Sequence, residues 1–236
     1  MNKTDITRET IELILRASTA TLTTVLNKHG IRHSGMHRVA PLRRGMKMAG
    51  PAFTLRYIPA REDLKTEPTD NLKDPQRIGI ETISTGEVFV IDARGDDRAG
   101  TLGAILATRL HMRGAAGVVT DGAYRDCDEI ADCGLPAFAR SANSHANTTI
   151  HHASEIQVPI ACGGIAVFPG DIIAGDGDGV VVVPAHLVEQ VAVEAAEKEA
   201  EEEFIIKKIR GGASIIGNYP PDEATLKEFE SGSVVQ

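Results

Sequence analysis

An arginine and an aspartate stand side by side in the stretch GVVTDGAYRDCDEI, residues 117–130, where they could bind an anionic ligand and a metal ion. Arg125 and Asp126 follow a short apolar run and a glycine turn, which indicates a strand that has just ended. Open α/β sheets bind ligands at the carboxyl ends of their strands. The structural alternative is that Asp126, three residues before Glu129, begins a short helix as a capping box. Arg125 would then be an ordinary surface charge.

A helix start is expected beside this pair. The segment TLGAILATRLHMRG, residues 101–114, reads as a helix that follows the strand EVFVID, residues 87–92. Its free N–H groups, near residues 100–103, would open toward the same edge, where a guanidinium and helix-start donors form a clamp for a carboxylate. Asp126 would weaken this clamp unless it holds a hard divalent cation that the ligand also contacts. The charges therefore predict a metal-bound carboxylate ligand beside Arg125.

The neighbouring segments predict an α/β fold with a mixed sheet. EVFVID, the helix and GVVT form a βαβ unit with a right-handed crossover, and LPAFA, residues 135–139, adds a strand. Turns between Ile and Val runs predict several short strands in residues 156–185. The apolar side of the βαβ helix is expected at Leu102, Ile105, Leu106 and Leu110. A half-buried strand is predicted where Phe53, Leu55 and Tyr57 alternate with Thr54 and Arg56.

A single domain is expected over residues 1–236, since no linker, repeat or low-complexity segment divides the chain. Helices at about 5–30 precede a core at about 45–185, and a long helix and tail occupy about 186–236. Ser18 is expected to cap the second helix. The acidic run EKEAEEE is interpreted as a solvated face of the long helix.

Composition excludes several classes of protein. A formal net charge of −8 argues against a general nucleic-acid binder. No apolar run approaches the roughly 20 residues that a membrane span needs, and the polar first residues do not resemble a signal peptide. The three cysteines lack C-x-x-C spacing and are interpreted as reduced thiols. A cytoplasmic protein without membrane or nucleic-acid partners is the expectation.

The segments around the Arg–Asp pair also resemble a known family. GAAGVVTDGAYRD, preceded by AGTLGAILATRL and followed by PGDIIAGDGDGVVVVP, is similar to the RraA-like group, and the likeness runs from about Ser18 to Pro221. The group includes the 4-hydroxy-4-methyl-2-oxoglutarate and 4-carboxy-4-hydroxy-2-oxoadipate aldolases and the regulator of ribonuclease E activity. The resemblance implies a swivelling β/β/α sandwich, assembled as homotrimers or pairs of trimers, with active sites between subunits.

The resemblance also implies site roles. Asp126 would bind Mg2+ or Mn2+ together with waters, and Arg125 would hold the carboxylate or oxo group of a small 2-oxo acid and stabilise its enolate. Substrate binding is carried over to the helix start, where backbone N–H groups would receive the carboxylate. That segment consists of Gly103, Ala104, Ile105 and Leu106, with the N–H groups of Gly103, Ile105 and Leu106 as donors.

One position departs from the aldolase pattern. The aldolases carry an acidic residue that is separated from the Arg of the pair by twenty residues, and here that position is Ala104. Alanine can neither orient a metal-bound water nor act as a base. Three alternatives follow: a nearby acid takes over, with Asp96, Asp97 and Asp121 as candidates, the reaction needs less proton transfer than a retro-aldol cleavage, or the protein has a different function.

Other polar clusters are interpreted as structural. In SHANTTIHHASE, His145, His151 and His152 fit no metal-binding pair on a helix face, and a polar loop is favoured over a pocket acid or base. His111 is expected at the surface of its helix. Turn formation is the predicted role of the late aspartates, namely Asp171, Asp176 and Asp178.

The leading hypothesis is a divalent-metal-dependent lyase for small 2-oxo acids. It would cleave a 4-hydroxy-2-oxo acid to pyruvate, decarboxylate oxaloacetate, or do both. The alternative from another class is a non-enzymatic regulator that binds a ribonuclease or another protein. A third, weaker hypothesis is an enzyme of the same fold that acts on a sugar acid with a histidine from residues 145–152.

Overall fold

The computed structural model describes residues 6–64 and 70–233. The helices are α1 (Arg8–Arg16), α2 (Thr19–Lys28), α3 (Pro75–Thr82), α4 (Ala104–Met112), α5 (Cys127–Asp132), α6 (Val188–Arg210) and α7 (Glu223–Ser233). The strands are β1 (Ala40–Pro41), β2 (Met48–Pro59), β3 (Val88–Asp92), β4 (Gly117–Thr120), β5 (Ala123–Tyr124), β6 (Ala137–Ala139), β7 (Ser141–Ala142), β8 (His151–Ile156), β9 (Ile160–Cys162), β10 (Ile165–Val167), β11 (Ile172–Asp176) and β12 (Gly179–Val183).

The main sheet is mixed, as expected. Its strands follow the order β1-β6-β4-β3-β2-β11-β12, and β8 also pairs with β2. The central strands β2, β3, β4 and β6 are parallel neighbours, whereas β11, β12, β8 and β1 pair in antiparallel fashion. Two small two-stranded sheets, β10-β9 and β5-β7, complete the strands of the described residues. The predicted α/β class with a long C-terminal helix is confirmed.

The segment between α2 and β2 nearly closes this sheet. The N–H of Met36 donates to the carbonyl of Val180 in β12 at 2.8 Å, and the N–H of Leu42 donates to Ala137 in β6 at 2.9 Å. One stretch of chain therefore bonds to backbone groups of β12 and β6, near the two ends of the strand order, and leaves less of the sheet edge open.

Strand β2 is more deeply buried than its alternating sequence predicts. Phe53, Leu55 and Tyr57 lie in the core as expected, but Thr54 is also fully buried. The Thr54 hydroxyl donates to the carbonyl of Val158 at 2.7 Å, which satisfies it away from solvent. The half-buried prediction is wrong at Thr54 because β2 is an interior strand that is covered on both faces.

The predicted βαβ unit is present as β3, α4 and β4. Ala107 and Leu110 of α4 are fully buried, and Leu106 packs partly against the core. The prediction is wrong for Ile105, whose side chain is 85% exposed. The buried residues of α4 are Ala107 and Leu110, and at about 100° per residue Ile105 lies about 140–200° around the helix from them, on the exposed side.

The terminal helices form a layer of their own. Helices α1 and α2 pack against α6 and against the β11 and β12 side of the sheet. Ser18 caps α2 as predicted, since its side chain accepts from the N–H of Thr21 at 3.0 Å. The predicted long helix is α6, and the tail ends in the short helix α7. Across residues 6–64 and 70–233, no helix combines the length and apolarity that crossing a membrane requires.

Candidate active site

A cavity of about 840 Å³ lies at the carboxyl edge of the parallel strands. Its walls come from α3, the segment 100–103, the first turn of α4 and residues 146–148. Arg125 and Asp126 both line it, so the two residues that the sequence singled out share one cavity with the helix start. Strand β4 and the short strand β5 carry the chain from the sheet directly to this pair.

The Asp126 carboxylate bonds to the first residue of α4 and does not cap α5, the helix that follows Asp126 in the chain. Asp126 stands at the N-cap position of α5 in a left-handed conformation, with φ of 58°, and makes no side-chain cap there. Its Oδ2 instead accepts from the N–H of Ala104 at 3.3 Å, and its Oδ1 lies 3.4 Å from Nε of Arg125. The capping-box interpretation is therefore wrong. Both side chains remain about two-fifths exposed toward the cavity.

Two glycines allow this close approach. A Cβ atom at Gly103 would lie 2.7 Å from Oδ2 of Asp126, and one at Gly100 would lie 2.8 Å from the backbone N of Arg125. Neither glycine has a positive φ, so space rather than backbone freedom requires glycine here. The sequence pattern predicts both glycines at the helix start, but it does not predict their contact with Arg125 and Asp126.

The first turn of α4 supplies backbone donors to the cavity. Gly103 is the N-cap and has no side chain to satisfy the helix, and Ala107 is the first residue that bonds back, to Gly103 O at 3.1 Å. The N–H groups of Gly103, Ile105 and Leu106 consequently lack partners further back in the helix. The N–H of Ala104, the fourth predicted substrate-binding residue, donates a hydrogen bond to the Asp126 carboxylate. Helix-start donors and the positive end of the helix dipole favour an anion here.

Buried polar side chains fix the loop that leads into α4. The carbonyl of Thr101 accepts from Nε2 of Gln76 at 2.7 Å and from the hydroxyl of Tyr57 at 3.2 Å. Thr101 in turn donates its N–H to Ala123 at 2.7 Å. Burial raises the pKa of Tyr57, so the hydroxyl keeps its proton and stays a donor. Sequence reasoning missed Gln76 and used Tyr57 only as a core residue, because their role depends on contacts between distant segments.

Two further arginines line the cavity and were also missed. Arg109 of α4 forms a two-point ion pair with Glu81 of α3, with Nε–Oε1 at 2.9 Å and Nη2–Oε2 at 2.6 Å. Arg77 of α3 lines the same cavity and has no ion-pair partner within the described part of the chain. The cavity wall is therefore richer in cations than the Arg125 side alone.

None of the acids expected to replace the family acid at Ala104 lines the cavity. Asp121 is buried and accepts from the N–H groups of Ala93 and Gly95, at 2.8 and 2.9 Å. Asp96 pairs with Arg98, whose hydrogen bonds lower the pKa of that carboxyl to about 2. Asp97 accepts from a serine hydroxyl and is likewise absent from the lining. The alternative in which one of them takes over finds no support in the described residues, whose only cavity-lining acids are Glu81 and Asp126.

The histidine-rich segment is only partly a polar loop. His145 is exposed and bonds to Asn143, as a loop residue should. His151, however, opens strand β8, is 4% exposed and stacks on Tyr57 with ring centroids 5.3 Å apart. Burial, followed by the charge of Arg94, lowers the pKa of His151. His151 and His152 are strand residues outside the cavity lining, so the loop prediction is wrong for them.

The interpretations of His111, the cysteines and the late aspartates agree with the structure. His111 is exposed on α4, and the three cysteines are unpaired. Asp171 accepts from two backbone N–H groups, those of Phe168 and Ala185, and Asp176 accepts from Thr19 and from the turn residue Asp178. These aspartates organise turns, as predicted.

The side chains that could coordinate a metal in this cavity suit a cation that keeps most of its coordinated water molecules. No group of three or more His, Cys, Asp or Glu side chains within residues 6–64 and 70–233 could enclose a metal. Asp126 offers a single hard carboxylate that faces the cavity beside helix-start donors. Mg2+ is commonly held by one or two carboxylates, several waters and the substrate, so this arrangement fits Mg2+ or Mn2+ and does not fit a fully enclosed site.

Comparison with known proteins places the chain in a family. The family model RraA-like (Aldolase/RraA) matches residues 19–182. A protein of Halalkalibacterium halodurans named "Putative 4-hydroxy-4-methyl-2-oxoglutarate aldolase" is 34% identical over 181 residues, which are 77% of this chain and 80% of that protein. A solved structure of an uncharacterized protein from Pseudomonas syringae superposes with a TM-score of 0.80 at 28% identity, covering 92% of this chain and 99% of that one.

A second solved structure is also similar to this chain. RraAS2 of Streptomyces coelicolor, described as an unusual member of the RNase ES inhibitor RraA protein family, superposes with a TM-score of 0.76 at 32% identity. The match covers 84% of this chain and 96% of that one. Since the family model spans more than half of the sequence and both structures share its fold, the chain belongs to the RraA-like (Aldolase/RraA) family.

Proposed function

We propose that this protein is a carbon–carbon lyase that cleaves small 2-oxo acids with the help of a divalent cation held by Asp126. The observation that carries the proposal is the cavity in which Arg125, Asp126 and the first turn of α4 converge. The aldolase names of relatives at family level support a lyase of this kind.

The chain's own groups would bind the substrate head. The guanidinium of Arg125 and the N–H groups of Ile105 and Leu106 hold the C1 carboxylate and the 2-oxo oxygen. As the carbon–carbon bond breaks, its electron pair moves into the pyruvate enolate, and the same donors stabilise the negative charge that develops on oxygen. Mg2+ or Mn2+ bound at Asp126 supplies Lewis acidity toward the 2-oxo group.

Two reactions share this enolate, and they differ in the proton that must be removed. Retro-aldol cleavage of a 4-hydroxy-2-oxo acid requires a base for the 4-hydroxyl, and Ala104 offers none. Decarboxylation of oxaloacetate releases CO2 and leaves the same enolate, which then takes a proton at C3, so no hydroxyl proton is abstracted. We therefore include both reactions in the proposal.

The test is release of pyruvate, followed with a lactate dehydrogenase-coupled assay. Oxaloacetate and 4-hydroxy-4-methyl-2-oxoglutarate are each supplied with Mg2+, and then with EDTA. We expect turnover that needs the cation, loss of turnover in Asp126→Asn and Arg125→Gln, and wild-type rates in two matched controls. The controls are Asp128→Asn and Arg44→Gln, both exposed and outside the cavity lining. Equal rates with and without EDTA, after correction for the uncatalysed reaction, would remove the metal from the proposal.

The regulator hypothesis remains the second candidate because of the likeness to RraAS2. A protein that acts only by binding a ribonuclease or another protein has no chemical use for Asp126. Asp126→Ala should then leave association with the partner unchanged while no pyruvate forms with any variant. Under the lyase proposal, the same substitution abolishes turnover.

We extend the proposal to assembly, as the family resemblance implies. A homotrimer or a hexamer with sites between subunits would cover apolar side chains at the cavity mouth, where Leu72 is 87% and Ile105 is 85% exposed. Light scattering after gel filtration measures the mass: about three or six chains supports the proposal, and a monomer contradicts it.

A further inference from the structure

One positively charged side chain lining the cavity has no part in the proposed chemistry at Arg125. Three arginines line it, namely Arg77, Arg109 and Arg125. Arg109 is neutralised by its two-point pair with Glu81, and Arg125 lies against Asp126. Arg77 alone among these three has no carboxylate within ion-pair distance in residues 6–64 and 70–233.

The position of Arg77 is fixed by its helix. Arg77 is the third residue of α3, and its backbone N–H donates to Oδ1 of Asp74 at 2.9 Å, which caps the helix. The Asp74 side chain is therefore engaged with the backbone. Burial raises the pKa of the Tyr57 hydroxyl, the hydrogen bond from Asn147 and the positive charge of Arg77 lower it, and the negative charge of Asp74 raises it. The same hydroxyl bonds to Thr101, just before the helix-start donors.

A half-buried, unpaired guanidinium beside a cavity favours an anion from outside the chain. The head of a 2-oxo acid is already accounted for by Arg125 and α4. With a volume of about 840 Å³, the cavity is also much larger than pyruvate needs. We propose that Arg77 is the specificity-determining residue for the substrate tail, and that it selects 2-oxo acids with a second anionic group at the end remote from the oxo group. This inference rests on the proposed lyase function.

Binding can test the tail site without any turnover. Two inert ligands of equal length differ only at the remote end, since 2-oxoglutarate carries a carboxylate where 2-oxopentanoate carries a methyl group. Calorimetric titration of the full chain with Mg2+ present should give 2-oxoglutarate the tighter Kd by about 10- to 100-fold, the range of a charged hydrogen-bonded contact. Arg77→Gln should remove this preference, Arg77→Lys should retain part of it, and Arg44→Gln should leave it intact.

Turnover with a second matched pair separates the two proposals. Retro-aldol cleavage converts 4-hydroxy-2-oxoglutarate to pyruvate and glyoxylate, and 4-hydroxy-2-oxopentanoate to pyruvate and acetaldehyde. Arg77→Gln should raise KM for the first substrate about 10- to 100-fold and leave KM for the second unchanged, with kcat altered little for either.

The outcomes are distinguishable. Equal binding of both inert ligands by the wild-type protein overturns the role of Arg77 even if no variant folds. If Arg77→Gln leaves the kinetics of pyruvate release unchanged for both substrates, the proposed role of Arg77 is overturned and the lyase function stands. A 2-oxoglutarate preference that depends on Arg77, in a protein that releases no pyruvate, supports the tail site and overturns the reaction.

Discussion

The contact between Gly103 and Asp126 gives the sharpest single-atom prediction. In Gly103→Ala the new Cβ would stand 2.7 Å from Oδ2 of Asp126, about 0.7 Å short of an ordinary contact at 3.4 Å. It would also press on Cγ of Arg125 at 3.2 Å. The backbone itself is permissive, with φ of −128° and ψ of 179°, so the whole effect is steric. The carboxylate must swing away and lose its bond to the N–H of Ala104.

The effect on stability should be small and the effect on function large. Where the backbone permits it, replacing glycine with alanine stabilises the folded protein by about 0.4–1 kcal/mol, because it reduces the conformational entropy of the unfolded chain. This gain roughly offsets the loss of one hydrogen bond, which costs about 1 kcal/mol. Displacement of a catalytic group by an ångström costs about 100-fold in rate, or about 2.7 kcal/mol of transition-state stabilisation. We therefore expect kcat/KM for pyruvate release to fall about 100-fold in Gly103→Ala while Tm shifts by only a few degrees.

The assay needs a control glycine. A Cβ at Gly35 would meet nothing within 4 Å, and its φ is not positive, so Gly35→Ala should behave as wild type in both rate and Tm. The reasoning is refuted if Gly103→Ala keeps wild-type kcat/KM and its cation requirement. It is equally refuted if the loss of activity is matched by a loss of folded protein, because the effect would then be on the fold and not on the carboxylate.

Three further predictions concern the frame around the site. Gly100→Ala should lower Tm more than Gly103→Ala, as measured by thermal denaturation, because its Cβ would meet the backbone N of Arg125 at 2.8 Å and backbone cannot swing aside. Asp121→Asn should lower the free energy of unfolding in urea by about 1–3 kcal/mol, since an amide NH2 would face backbone donors in place of a buried carboxylate oxygen. Burial lowers the pKa of His151 below its usual 6.5, so below that pH the unfolded chain binds a proton that the folded chain does not. Stability should therefore decline as the pH falls from 6.5 toward 5, and His151→Phe, which keeps a ring against Tyr57, should flatten that decline in urea titrations at each pH.

Local sequence patterns were sufficient for the elements that present the site. The βαβ unit, the later short strands and the long terminal helix follow from periodicity and from Gly and Pro turns, and the structure confirms them. The convergence of Arg125 and Asp126 with the start of α4 also follows, because the carboxyl end of a strand and the beginning of the crossover helix meet at one sheet edge.

Local sequence patterns do not predict how side chains pack or which distant segments come into contact. Ile105 was assigned to the core, but the face of α4 that packs inward contains Ala107 and Leu110, and Ile105 lies on the other side of the helix. The D-x-x-E spacing suggested that Asp126 caps its own helix, whereas the left-handed backbone directs its carboxylate to Ala104. Gln76 and Arg77 carry no motif, and only the packing of α3 beside α4 brings them into the cavity.

Direct measurement of cation binding tests the central claim, that Asp126 holds a divalent cation beside Arg125. Mn2+ is titrated into the protein with and without oxalate, and free Mn2+ is followed by electron paramagnetic resonance. Wild type and Asp128→Asn should bind Mn2+ more tightly when oxalate is present, whereas Asp126→Asn should bind at least about 10-fold more weakly, in line with the loss of a charged contact. Mn2+ affinity that is the same in Asp126→Asn as in wild type would contradict the account.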